Sequence, residues 1–386
     1  MSWTRFGPAS AFLKGALQPV YKYCFRAVGF YFFHVTEAQF GLDFPKYVVV
    51  IQAIHLLNVW MLWLLLRRLG AQVFPACFAV AFFALDAALF DAVWKPAFIF
   101  DLLCATLCLA STLLWIRGRW ILSFVLFWLA YQTKELAVML PLVLVCYEFW
   151  FGKRQWKRLA LFVAASFSFA FQALVLYPVP SGDYSFHFTP VTLAKTASYY
   201  AGQVFLVPLL GLVLPAGAYL APNRRTWFGL TTMVLFFVPL LFLPGRIQAA
   251  YCYLPFTGLA VALAGIAETR KTREVAIFFA LWLPLDLYWL SVAATDTLRQ
   301  DRDIRAWIGS AAAFAKTRPD VVDFAFDGMP EGFRPFGMGA TFKYFTGRNN
   351  NVVPLNSPEG AKLSQSAHSA ILRWDEATHQ LQIATP

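Results

Sequence analysis

Apolar runs separated by short charged turns fill the chain from residue 47 to residue 293. The runs 47–66, 73–90, 97–116, 120–133, 136–151, 158–178, 199–221, 227–244, 249–267 and 275–293 are long enough to cross, or nearly cross, a bilayer, a task that takes about 20 apolar residues. They predict about ten spans in an all-α polytopic membrane bundle. The fourth and fifth runs are short and meet at Lys134-Glu135, as tilted or half-buried helices of a hairpin would. Ahead of the bundle, residues 9–33 interleave aromatics with Lys22 and Arg26 and break at Gln18-Pro19. That pattern predicts an amphipathic segment at a headgroup interface, its cations either snorkelling or forming a phosphate-facing wall. Beyond residue 293 the pattern changes. TLRQDRDIRAWIGSAAAFAKTRPD reads as an amphipathic helix, DVVDFAFDGMP as a strand and turn, and AILRWDEATHQLQIATP as a hairpin around Asp375–Thr378. The expected division is an amphipathic segment 1–46, a bundle 47–293 and a small α+β module 294–386.

Composition agrees with a membrane protein. Of 386 residues, 59% are hydrophobic and 14% charged, where a soluble domain carries nearer a quarter charged; the mean hydropathy is +0.57. The net charge of +11 is no nucleic-acid footprint, because the basic residues cluster between apolar runs, and no nucleotide-binding glycine loop is visible. Alternate loops hold Arg67-Arg68, Arg117 and Arg119, Lys153-Arg154 with Lys157-Arg158, Arg224-Arg225, and Arg270-Lys271 with Arg273; the opposite loops hold Lys95, Lys134, Lys195 and Arg246. Positive charge favours the cytoplasmic side. The segment 1–46, the acidic stretch 86–101, Lys134-Glu135, loop 179–198, Arg246 and the C-terminal module are then all expected outside. Residues 1–46 carry Arg5, Lys14, Lys22, Arg26 and Lys46 with no signal peptide. This leads to the expectation that an upstream helix is missing.

Chemistry-bearing residues concentrate on the expected outer face. Asp86, Asp91, Lys95 and Asp101 fall within one turn, open to two readings: a solvated acidic loop, or carboxylates around a lysine that suit a general base, a sugar hydroxyl or a metal. Lys134-Glu135 is either a polar turn or one wall of a polar cleft. His55 and Asn58 share a helix face, where bonding to a neighbouring helix competes with a site role. His187, with Asp183 and Lys195, sits among aromatics in loop 179–198. Arg246 suits a lipid-linked phosphate or the headgroups of bulk lipid. Asp286 is expected to bond inside the bundle. Six cysteines (24, 77, 104, 108, 146 and 252) read as packing residues, since Cys104 and Cys108 lack His or carboxylate companions for zinc.

Four stretches give the chain a family likeness. IHLLNVWMLWLLLRRLG is similar to an HLLN helix ending in a basic pair. Asp91-Ala92-Val93-Trp94 with Asp101 resembles a Glu-Ala-Val-x-Trp stretch followed by an acidic residue. TKELAVMLPLVLVCYEF resembles an Ala/Ser-Lys-Glu run, and AAYCYLPF an Arg-Tyr-Leu-Tyr-Leu-Pro run. Over residues 17–267 the chain resembles the GT-C class of polytopic glycosyltransferases, in particular the tetratricopeptide-linked protein O-mannosyltransferases and their bacterial relatives. It departs from them in reading Gln18-Pro19 for an Arg-Pro, in Ala250 for the arginine of the last run, and in lacking both a tetratricopeptide repeat within 294–386 and the acidic motif that follows the family's first span.

The resemblance implies a GT-C-like bundle with an external active site, in a bacterial inner membrane. Its activity would be transfer of a sugar from a polyprenyl-phosphate carrier to an exported protein, glycan or lipid. Asp91 is the first choice for the acidic role and Asp101 the second. Lys134 and Arg246 would offset charge on the leaving phosphate, with Glu135 orienting Lys134; His55, Lys95 and His187 complete the candidate substrate-binding set. No metal ligands are assigned, and a divalent cation is the one optional cofactor. Membrane lipid and the carrier-linked sugar are the expected partners, with no nucleic acid. The competing functions are a lipid-linked sugar transporter or flippase and a non-catalytic membrane subunit. Because the family's leading acidic motif lies ahead of this chain's start, little activity is expected from the 386 residues alone.

Overall fold

A computed structural model describes residues 8–18, 26–363, 366 and 368–385. Arg5, Pro19, Lys22 and Cys24 lie outside the described residues. The chain divides into two compact units, residues 8–290 and, among the described residues, Ser291 onward.

The first unit is a helical membrane bundle. Among the described residues, five helices are long and apolar enough to cross a membrane: Phe44–Arg68, Pro96–Ile116, Trp156–Leu176, Ala249–Glu268 and Thr272–Thr317. A sixth is added if Val73–Leu85 and Ala87–Trp94, bent by 45° at Asp86, count as one span. Ten expected segments thus correspond to five or six helices that pass on length and hydropathy. Trp120–Tyr131 and Leu140–Trp150 are short helices with different partners. The former is tied to the Pro96–Ile116 helix through reciprocal Ser111–Ser123 hydroxyl bonds to backbone carbonyls, 2.8 Å each, while the latter packs on Arg224–Leu241. The expected segment 199–221 is not one helix. Pro190–Val204 ends there, Leu206 and Leu209 take left-handed backbone conformations, and Leu214–Leu220 resumes. Apolar composition alone carried no sign of that break.

Two helices meet backbone to backbone. A Cβ built on Gly229 would lie 2.2 Å from the Ala262 nitrogen, one on Gly258 2.5 Å from the Met233 nitrogen, and one on Gly265 2.5 Å from the Thr226 nitrogen. Only glycine lets Arg224–Leu241 approach Ala249–Glu268 this closely, the small-residue mode of helix association in membranes.

The two ends of the Ala249–Glu268 helix carry different chemistry, about 25 Å apart by helical rise. At its C-terminal end Glu268 pairs with Arg225 and accepts from the Asn223 amide (3.0 Å) and the Gln72 backbone (2.9 Å), while Arg225 also reaches Leu69 O at 3.0 Å. Loops bearing Arg67-Arg68, Arg224-Arg225 and Arg270 therefore share one end. Tyr251 marks the other.

The second unit is built on a four-stranded sheet in the order β2-β1-β3-β4, with β1 Asp323–Asp327, β2 Asn351–Pro354, β3 Ser369–Asp375 and β4 Gln380–Ala384. β1 runs parallel to β2 and β3, and β3–β4 is the antiparallel hairpin that the turn at residues 375–378 foretold. Parallel pairing needs crossovers, supplied by helices Pro335–Thr346 and Pro358–Leu363. Phe324 stacks on Phe342 at 3.8 Å between centroids, and Trp307, Met338 and Leu372 close the core. The expected border at 293/294 falls inside the continuous helix Thr272–Thr317, which turns from apolar to amphipathic without breaking.

Candidate functional site

The site begins where the chain leaves one helix and enters the next. After Tyr131, Lys134 adopts an extended backbone (φ −156°, ψ 144°), and a 3-10 turn, Glu135–Met139, leads into Leu140–Trp150. The break points Lys134 and Glu135 to different partners. Lys134 is buried and ion-paired with Asp101, equally buried in the first turn of the Ile99–Ile116 helix. An anion is favoured there by the helix dipole. Glu135 is held by Arg26 through a two-pronged contact, Nε to Oε1 at 3.1 Å and Nη2 to Oε2 at 3.0 Å. The expectation that Glu135 orients Lys134 is thereby corrected: Asp101 orients the lysine, and Arg26 takes the glutamate.

Aromatic faces cover both cations. The Lys134 ammonium lies 3.9 Å from the Tyr251 ring centroid, and the Arg26 guanidinium 5.3 Å from that of Phe100, within the range of cation–π attraction. Tyr251 is also within electrostatic reach of Asp101, Arg246, Tyr184 and Arg26. Arg246 lies 4.1 Å from the Tyr184 ring centroid and donates to the Tyr184 hydroxyl. Tyr251 thus touches the buried Asp101–Lys134 pair and stands within electrostatic reach of Arg26 and of the arginine expected to meet phosphate.

The N-terminal segment is part of this end. Trp128 Nε1 donates to Ala16 O (2.8 Å) and Gln132 Nε2 to Gln18 O (2.9 Å), which tie helix Ala9–Leu17 to the residues just before Lys134. Arg26 then stands at the N-cap position of helix Ala27–Phe40, its side chain on Glu135.

The other expected residues are placed as follows. Asp91 pairs with Lys95 at 2.8 Å one helical turn on, both side chains about one-third exposed. Their short helix, Phe90–Trp94, packs against the Ala249–Cys252 turn. His55 is buried, its Nδ1 2.7 Å from the Tyr253 hydroxyl and its Nε2 3.3 Å from Ala84 O. Asn58 donates to the same hydroxyl and to Leu102 O, 3.1 Å each. His55 and Asn58 therefore knot four helices together, their own and those of Ala84, Leu102 and Tyr253, the interhelical bonding that their shared helix face allows. His187 is exposed in its loop, 2.9 Å from the Ser185 hydroxyl, with its backbone amide bonded to Phe242 O. Asp86 is no solvated loop residue. It is buried at the bend, caps Ala88 at 3.0 Å, and lies beside Asp286, which accepts from Ala87 N at 2.7 Å.

Arg26, Tyr251, Tyr184 and Glu148 were not among the expected site residues. Glu148, closing the TKELAVMLPLVLVCYEF run, is buried at the opposite end of its helix, where it accepts from the Trp115 indole (2.7 Å) and Gln155 N (3.0 Å). Among the described residues, no three His, Cys, Asp or Glu side chains come together as a metal-ion group. No family model, curated protein or solved structure matches this chain.

Proposed function

We propose that this chain is a membrane glycosyltransferase of GT-C type, drawing a sugar from a polyprenyl-phosphate carrier. The observation that carries the proposal is the convergence at one end of the bundle of the Asp101–Lys134 and Arg26–Glu135 pairs, Tyr251 and Arg246. In the reaction an acceptor hydroxyl attacks the anomeric carbon and gives its proton to a carboxylate. The carbon–oxygen bond to phosphate breaks, and its electron pair leaves on the phosphate oxygen. Asp91 fits the base better than Asp101, because it is partly open whereas Asp101 is buried and bound to Lys134. Arg246 offsets the leaving phosphate through its planar guanidinium. Lys134 acts as a positioning residue, since Asp101 and the Tyr251 ring occupy its ammonium.

A lipid-linked sugar transporter is the second reading, with one observation on its side. The Val73–Leu85 and Ala87–Trp94 pair is broken at buried Asp86, facing Asp286, and discontinuous helices mark transporter sites. Reconstituted protein given a labelled polyprenyl-phosphate sugar separates the two. Glycosidic product that is lost in Asp91→Ala supports the enzyme; carrier crossing the bilayer without bond cleavage supports the transporter.

A further inference from the structure

At the basic end of the bundle an apolar cavity of about 350 Å³ is walled by Phe78, Phe205, Leu214, Leu263, Val275 and Phe278. Its size falls within the range of small-molecule sites, roughly 300–1,000 Å³. It owes its floor to the broken 199–221 segment: Phe205 closes one helix, and Gly217 on the next presents no side chain. The mouth is charged. Arg270 and Glu274 line it, exposed and without an ion pair to each other, and Lys271 and Arg273 flank them. Within the exposed stretch 270–274 that bears the mouth, three cations stand against one carboxylate, Glu274. Glu268, one residue past the cavity wall at Ala267, is already taken by Arg225.

We infer that this cavity holds an acyl chain of an anionic phospholipid from the adjoining leaflet, with the headgroup phosphate at Arg270 and Lys271. The apolar lining gives no partner to a polar ligand, and the excess of cations at the mouth selects a net-negative headgroup over a zwitterionic one. The site lies at the Glu268 end of the helix whose other end carries Tyr251, so it is separate from the proposed sugar-transfer site.

The test is native mass spectrometry of the full-length protein released from mixed phosphatidylglycerol and phosphatidylcholine bilayers. Wild type is expected to retain phosphatidylglycerol in preference. The Arg270→Ala, Lys271→Ala double variant alters exposed side chains only, and should lose preference by about fivefold per cation removed. Gly217→Phe fills the cavity and should lose the retained lipid, whereas Gly217→Ala, whose Cβ would sit an ordinary 3.8 Å from Ile266, should keep it. Equal retention of the two lipids by wild type, or an unchanged preference in the double variant, overturns the inference. So does full retention by Gly217→Phe; if that variant fails to fold, the double variant decides.

Discussion

Asp101–Lys134 and Asp91–Lys95 have the same chemistry and opposite circumstances. The first joins helices 33 residues apart in sequence and is buried, its side chains 2% and 6% exposed. The second spans one helical turn and is 38% and 31% exposed. Burial raises the stakes of each partner, because an ion deprived of its mate inside the protein has neither water nor counter-charge. Exposure lowers those stakes and leaves the Asp91 carboxylate open to solvent. The buried pair therefore ties its two segments together, and the open pair is the one on which the proposed chemistry rests.

The largest contrast is in stability. Lys134→Ala should cost about 3–5 kcal/mol by leaving Asp101 buried and unpaired, and Lys95→Ala less than about 1 kcal/mol. Equilibrium unfolding in mixed micelles measures both, and equal costs would dissolve the distinction. Changing Lys134 and Asp101 together to Met and Leu should recover part of the loss. Next comes activity. If the molecule transfers sugar as proposed, Asp91→Ala should cost roughly a hundredfold in rate while leaving unfolding nearly unchanged. A variant that keeps full transfer would remove Asp91 from the chemistry. The Arg26–Glu135 pair, part-buried, sharpens the comparison from between. Arg26→Lys forfeits the two-pronged grip and should cost about 1–2 kcal/mol, between the two lysine variants.

The smallest effect lies in the C-terminal unit, at two carboxylates near its surface, Asp320 and Asp375. Hydrogen bonding to Arg318 holds the Asp320 carboxyl below its usual range, and bonds from Thr378 and Ala377 do the same for Asp375. A depressed folded pKa means stability that is present above the ordinary carboxylate value and is lost as pH falls through the folded one. Hydrogen exchange of the β3–β4 amides should stay level from neutral pH down to the usual carboxylate range and, corrected for intrinsic rates, quicken below it. Asp375→Asn should flatten that response.

Much of the bundle was legible because apolar runs and arginine-bearing turns obey simple constraints of length and charge. The β3–β4 hairpin was legible from its turn residues, and Asp101 and Lys134 from the oddity of charge between apolar runs. What stayed hidden was pairing. Nothing in the order of residues says that Lys134 turns to Asp101 while Glu135, its neighbour, turns to Arg26 across 109 positions. Arg26 read equally as a snorkelling cation or as part of a phosphate-facing wall because its segment is amphipathic, and Tyr251 as one aromatic among many. His55 read as bonding a neighbouring helix or as a site residue, but nothing local named its partner, a tyrosine 198 residues away. Breaks made by left-handed backbone at Leu206 and Leu209 leave no trace in hydropathy, and parallel strands leave no local turn to announce them.

The glycine crossing of Arg224–Leu241 and Ala249–Glu268 bears on how the protein is made. The first of these helices does not reach, on its own, the length and hydropathy of a spanning segment, whereas the second does. Three glycines let their backbones close onto each other. The pair is therefore expected to enter the membrane as one hairpin, with the helix at residue 224 settled only once residue 268 has been made. Enlarging Gly229 or Gly258 would then show itself first in biosynthesis, as chains cleared by quality control, before any assay of the finished protein could register a change.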